Sequence, residues 1–127
     1  MSKQDKLHYT HPPSQDDIQF LARSYLENLP SELDEVCDGL EIVIDDFPPE
    51  DIKVELELET DFDLLALYID SPVKQLILYR RPVLDVWCET EDDLGGLVRH
   101  LMITELAQQL DYSAEQIEKL ANQNYKK

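Results

Sequence analysis

Six side chains that could take part in chemistry fall within one short stretch, VRHLMITELAQQLD, residues 98–111: Arg99, His100, Thr104, Glu105, Gln108 and Asp111. Glu105 has the most to offer. A carboxylate held among apolar neighbours has a raised pKa and can exchange a proton, provided that another group activates what it acts on. His100 lies five residues earlier on what reads as a helix, which separates the two by about 140° around the axis. One metal ion is therefore not easily held by both.

The element that positions these groups reads as a helix over residues 90–111, the longest in the chain. Thr90 is the expected N-cap, and the acidic residues after it favour the positive end of the helix dipole. Leu94, Leu97, Val98 and Leu101 recur at i, i+3, i+4 and i+7 and form a core-facing stripe. Continued at 100° per residue, the stripe reaches Glu105 and Gln108, with Thr104 at its edge. Ile103, Leu106, Ala107 and Leu110 make the other side apolar too. The second half is thus expected to be buried nearly all round, with a carboxylate and an amide inside, and the carboxylate then needs a partner. Arg80, Arg81 and Arg99, three of the four arginines, are the candidate partners.

Earlier segments carry their own signals. Residues 1–13 are polar, aperiodic and end in His-Pro-Pro, as in a disordered N-terminal tail; His8 and His11 form an H-x-x-H pair there without a third ligand. A single domain is expected over 14–123. Ser14 and Asp17 resemble a capping box ahead of an amphipathic helix that Pro30 stops. A short helical turn spans 31–37, and LEIVI, residues 40–44, reads as a strand. Residues 50–59 carry two signals: Pro49 with Glu50 and Asp51 marks a helix start, while Ile52, Val54, Leu56 and Leu58 alternate as in a strand. We take the helix. Residues 64–69 and 75–80 read as strands joined by a turn at Ser71-Pro72. Ser113 and Gln116 open a last short helix carrying Ile117, Leu120 and Ala121. The fold expected is α+β, a small sheet packed against a long central helix with flanking helices.

Composition bounds the function. The 127 residues suffice for one core. The formal net charge of −17 argues against direct binding of nucleic acid, whose phosphates need Lys and Arg. No run approaches the ~20 apolar residues of a membrane span, and the polar start is unlike a signal peptide. A cytoplasmic protein with a protein partner of unknown identity is expected. Cys37 and Cys88 match neither a disulfide framework nor a zinc spacing and read as small, partly buried apolar residues.

Two motifs carry a family resemblance. VRHLMITELAQQLDYS resembles the active-site helix of small single-domain, zincin-like bacterial metallopeptidases, whose zinc motif is HExxH. FDLLALY followed by LYRRP resembles the strands that precede that helix. The resemblance spans about residues 18–122 and implies a zincin-like fold, in which an edge strand near the metal pairs with substrate backbone. It places Val98, Arg99 and His100 on family positions and Glu105 on the catalytic glutamate. The zinc-binding histidines fall on Thr104 and Gln108, the glycine after the motif on Asp111, and the acidic residue expected near Ala114 is absent. Ala66, Ile69 and Asp70 depart from the strand motif, and the turn after them is shorter than the family's.

In H-E-x-x-H, two histidines one turn apart hold the zinc and the glutamate acts on its bound water. Threonine and glutamine are poor zinc ligands, and Glu105 alone cannot bring water near a neutral pKa. Zinc, expected of the family, is therefore not expected here. The leading expectation is a catalytically inactive homologue with a binding or structural role. Two alternatives remain: an active zinc-dependent peptidase with an atypical site using Glu105, His100 and Asp111, and an acidic interaction protein, either an inhibitor or a nucleic-acid mimic.

Overall fold

A computed structural model describes residues 12–91 and 93–123. The expected tail, and with it His8 and His11, lies almost wholly outside these residues. Within them the chain is α+β, with six helices and a three-stranded sheet.

Helix α1, Gln15–Leu26, begins at the expected capping box: the Asp17 N–H donates to Ser14 Oγ at 3.1 Å, and the Ser14 N–H donates to the Asp17 carboxylate at 2.9 Å. Its buried residues are Ile18 and Ala22. A single 3-10 turn, Ser31–Leu33, runs into α2, Asp34–Cys37. Strand β1, Glu41–Asp45, follows and buries Ile42 and Ile44. The ambiguous stretch then forms a helix, α3, Glu50–Glu55. Its alternating apolar residues have no sheet to join, and Val54 and Leu56 stay 68% and 43% exposed. Glu57, at φ +56°, takes the chain out of the helix.

Strands β2, Ala66–Ile69, and β3, Gln75–Tyr79, are joined through a cis Ser71-Pro72 peptide. The sheet order is β1-β3-β2. β1 runs parallel to β3 in the register Ile42 to Leu76 and Ile44 to Leu78, and β2 runs antiparallel to it with Leu67 opposite Ile77. Leu76 and Leu78 of the central strand are fully buried.

Residues 80–89 form a helix, α4, Arg80–Glu89, where only a connection was expected. Pro82 sits in its first turn, where no backbone N–H is needed, and Val83, Leu84 and Trp87 are buried at helical spacing. The central helix, α5, is Leu94–Gln108 and does not begin at Thr90. Thr90 instead closes α4, its N–H donating to the Trp87 carbonyl. Asp93 is the N-cap, its carboxylate accepting the Gly96 N–H at 2.8 Å.

Helix α5 lies against α1, β2 and the last helix, α6, Ala114–Gln123. Gly95 permits the approach to α1, because a Cβ there would stand 2.5 Å from the Tyr25 hydroxyl. Its inner face is Leu94, Leu97, Val98, Met102, Ile103, Leu106 and Ala107. The stripe therefore turns toward Met102 and Leu106, and Leu101 is only half-buried. Helix α6 opens with the predicted box, Ser113 N–H to Gln116 Oε1 at 2.8 Å and Gln116 N–H to Ser113 Oγ at 3.2 Å. No helix among the described residues is long and apolar enough to cross a membrane.

Candidate functional site

The carboxylate at the centre of the sequence argument meets the sheet edge. Glu105 Oε2 accepts the Tyr68 backbone N–H at 3.4 Å, a long and weak bond. Burial pushes the Glu105 pKa above its ordinary value of 4.5, and the Tyr68 N–H opposes that rise.

Why Tyr68 offers its N–H to a side chain follows from the register. The Tyr79 N–H donates to the Leu65 carbonyl at 2.9 Å, and Leu67 and Ile69 stand opposite Ile77 and Gln75. Bonded and non-bonded pairs alternate in an antiparallel ladder. Ala66 and Tyr68 therefore direct their N–H and C=O groups away from β3; Ala66 is buried, so this outer edge reaches the surface at Tyr68. Beside that edge lies a groove of about 400 Å³ between β2, α3 and the end of α5. Ile52, Leu56, Leu67 and Ile69 give it apolar walls; Glu55 and Asp70 give it negative charge.

Thr104 and Gln108, at the positions the resemblance assigns to zinc ligands, part company. Thr104 Oγ1 is buried without a hydrogen-bond partner, whereas Gln108 is exposed to solvent and not inside the helix packing as expected. The buried face of α5 is rotated from the projected stripe, which carries Gln108 outward. A threonine hydroxyl and a solvated amide do not fit a zinc ion, which takes thiolate, imidazole and carboxylate. Among the described residues no three His, Cys, Asp or Glu side chains are grouped to hold a metal.

None of the candidate arginines makes the expected pair with Glu105. Arg80 donates to the Pro13 carbonyl at 2.7 Å and to Asp46 at 3.3 Å, and Arg81 stands over the Phe47 ring. Arg99, 7% exposed, donates from Nη1 to the Ala121 carbonyl of α6 at 2.6 Å. Arg99 and His100 line a second cleft, between α5 and α6, away from the groove at β2. Asp111 is exposed at φ +60°, where it turns the chain out of α5. The structure thus joins Glu105 to Tyr68 and leaves His100, Arg99 and Asp111 apart from them. Both cysteines are free; Cys37 is half-buried as expected, but Cys88 is exposed because it faces outward from α4.

Tyr68 was legible only as part of FDLLALY; its pairing with Glu105, 37 residues away, leaves no local signal.

Comparison with curated proteins finds no match. The family model described as zincin-like metallopeptidase matches residues 37–123, from the end of α2 through α6. That match covers more than half of the chain and takes in the sheet, the groove and the whole of α5, so the chain belongs to the zincin-like metallopeptidase family.

Proposed function

We propose that this chain is a catalytically inactive zincin-like domain that works by binding an extended segment of another protein along the free edge of β2. The observation that carries the reading is the pair Thr104 and Gln108: the residues where the resemblance puts zinc ligands are a hydroxyl and a solvent-exposed amide. Without two imidazoles there, no bound water is activated, and Glu105 has nothing on which to act as a base. Glu105 instead accepts a weak hydrogen bond from the Tyr68 N–H at the sheet edge.

What the site retains is strand-pairing capacity. The outward C=O of Tyr68, and its N–H once it leaves the weak bond to Glu105, suit an added strand, and the adjoining apolar groove suits alternate side chains of that strand. Glu55 and Asp70 favour a segment bearing Lys or Arg. The reading as a nucleic-acid mimic draws less support, because exposed acidic residues occur on α1, β1, α3, α4 and α6 alike.

The test pairs two assays. Incubation with an unfolded protein substrate, with added zinc and with chelator, is expected to show no chelator-sensitive cleavage. Titration with Lys-bearing extended peptides, followed by amide shifts, is expected to move Tyr68 and Ile69 first. Zinc-dependent cleavage overturns the inactive reading, and shifts confined to other surfaces overturn the edge-binding one.

A further inference from the structure

We propose that the cleft between α5 and α6 is a binding site for a small monocarboxylate, received by the Arg99 guanidinium with His100 and Asn122 beside it. Arg99 is the one charged side chain among the described residues that is buried, at 7% exposure. Its Nη1 caps α6 through the Ala121 carbonyl, which the negative end of that helix favours. That contact accounts for one nitrogen. Nη2 is buried with no hydrogen-bond partner, and none of the ion pairs among the described residues includes Arg99. A guanidinium out of water without a counter-charge is costly, and an anion is what removes the cost.

The cleft is placed to supply it. It measures about 320 Å³, and Arg99, His100, Ala121 and Asn122 line it. Arg99 lines the cleft together with Ala121, whose carbonyl holds its Nη1. The volume is at the low end for small-molecule sites, which limits the ligand to a few heavy atoms beyond its charged group. The charge of the ligand is limited too. Asp93 also lines the cleft, with one carboxylate oxygen on the Gly96 N–H, and it repels a dianion more strongly than a monoanion. A carboxylate also matches the guanidinium fork. The site is separate from the β2 edge, so it stands or falls independently of the proposed function.

The experiment is an amide-shift titration of the full chain with N-acetylglycine, with uncharged N-acetylglycinamide and inorganic phosphate at matched ionic strength. The expected result is saturable shifts at Gly96, Leu97, His100 and Asn122 with N-acetylglycine, none with the amide, and weaker binding of phosphate. Arg99→Met is expected to abolish the shifts. His100→Leu, at an exposed position that leaves the core intact, is expected to weaken binding about tenfold, as for loss of one charge-assisted hydrogen bond. Three outcomes overturn the proposal: equal shifts with acid and amide, binding by folded His100→Leu equal to the parent, or phosphate bound as tightly as the carboxylate.

Discussion

Replacing Glu105 by glutamine separates a relic from a working carboxylate. Glutamine keeps the size and an oxygen that can accept the Tyr68 N–H, and it removes the charge. The bond being kept is 3.4 Å long, beyond the usual range, so its net worth is at the low end, about 0.5 kcal/mol. The burial that raises the Glu105 pKa acts against the ionised form, and half-burial discounts that cost for solvent screening. Above the raised pKa, Glu105→Gln is therefore expected to stabilise the fold by about 0.5–1 kcal/mol, roughly 2–5 °C in Tm for a chain of this size. The pH dependence gives a second check. A carboxyl whose folded pKa is raised binds its proton more tightly when folded. Its stabilising contribution is complete below the ordinary value of 4.5 and is lost as pH rises through the raised value. The difference between parent and variant should thus shrink toward zero at about pH 4 and reach its full size at higher pH. Thermal denaturation of both proteins across that range, followed by circular dichroism, measures it. A loss of about 3 kcal/mol or more would refute the reasoning, since that is what breaking a buried charge pair costs.

Three further perturbations test the packing around the site. Thr104→Val removes the buried, unpartnered Oγ1 with little change of shape and is expected to stabilise by about 1 kcal/mol in denaturant melts, whereas a loss would reveal a partner for the hydroxyl. Asp93→Ala removes the N-cap of α5 and is expected to cost about 1 kcal/mol, while Thr90→Ala, outside that helix, should not remove its cap. Burial pushes the Tyr79 phenol up to about 12 from its ordinary 10.0, so stability should fall as pH rises from 10 through 12, and Tyr79→Phe should flatten that fall in alkaline melts.

What could be read from the chain alone was what neighbouring residues decide together. The boxes at Ser14 and Ser113 need only residues three apart, and both form as read. LEIVI is a strand within one residue of its expected bounds. At residues 50–59 two periodicities competed, and the helix start at Pro49 prevailed. The start of α5 was misplaced because TEDD offers several caps; only the Thr90 contact back to Trp87 shows that Thr90 ends the previous helix. That helix had its own signal in Val83, Leu84 and Trp87, obscured by the family-like LYRRP motif. The site was less legible still. Projecting the stripe through Leu101 put Gln108 inside, whereas the core follows Met102, Ile103 and Leu106. The contacts of Glu105 with Tyr68 and of Arg99 with Ala121 join residues 37 and 22 apart, and no local pattern encodes them.

The loss of the metal is the central claim, and metal content tests it most directly. Elemental analysis of untagged protein, with zinc then titrated back, should find far less than one zinc per chain and no tight binding, as Thr104 and Gln108 in place of the histidines imply. One tightly held zinc per chain would contradict the account and restore the peptidase reading of the family's fold.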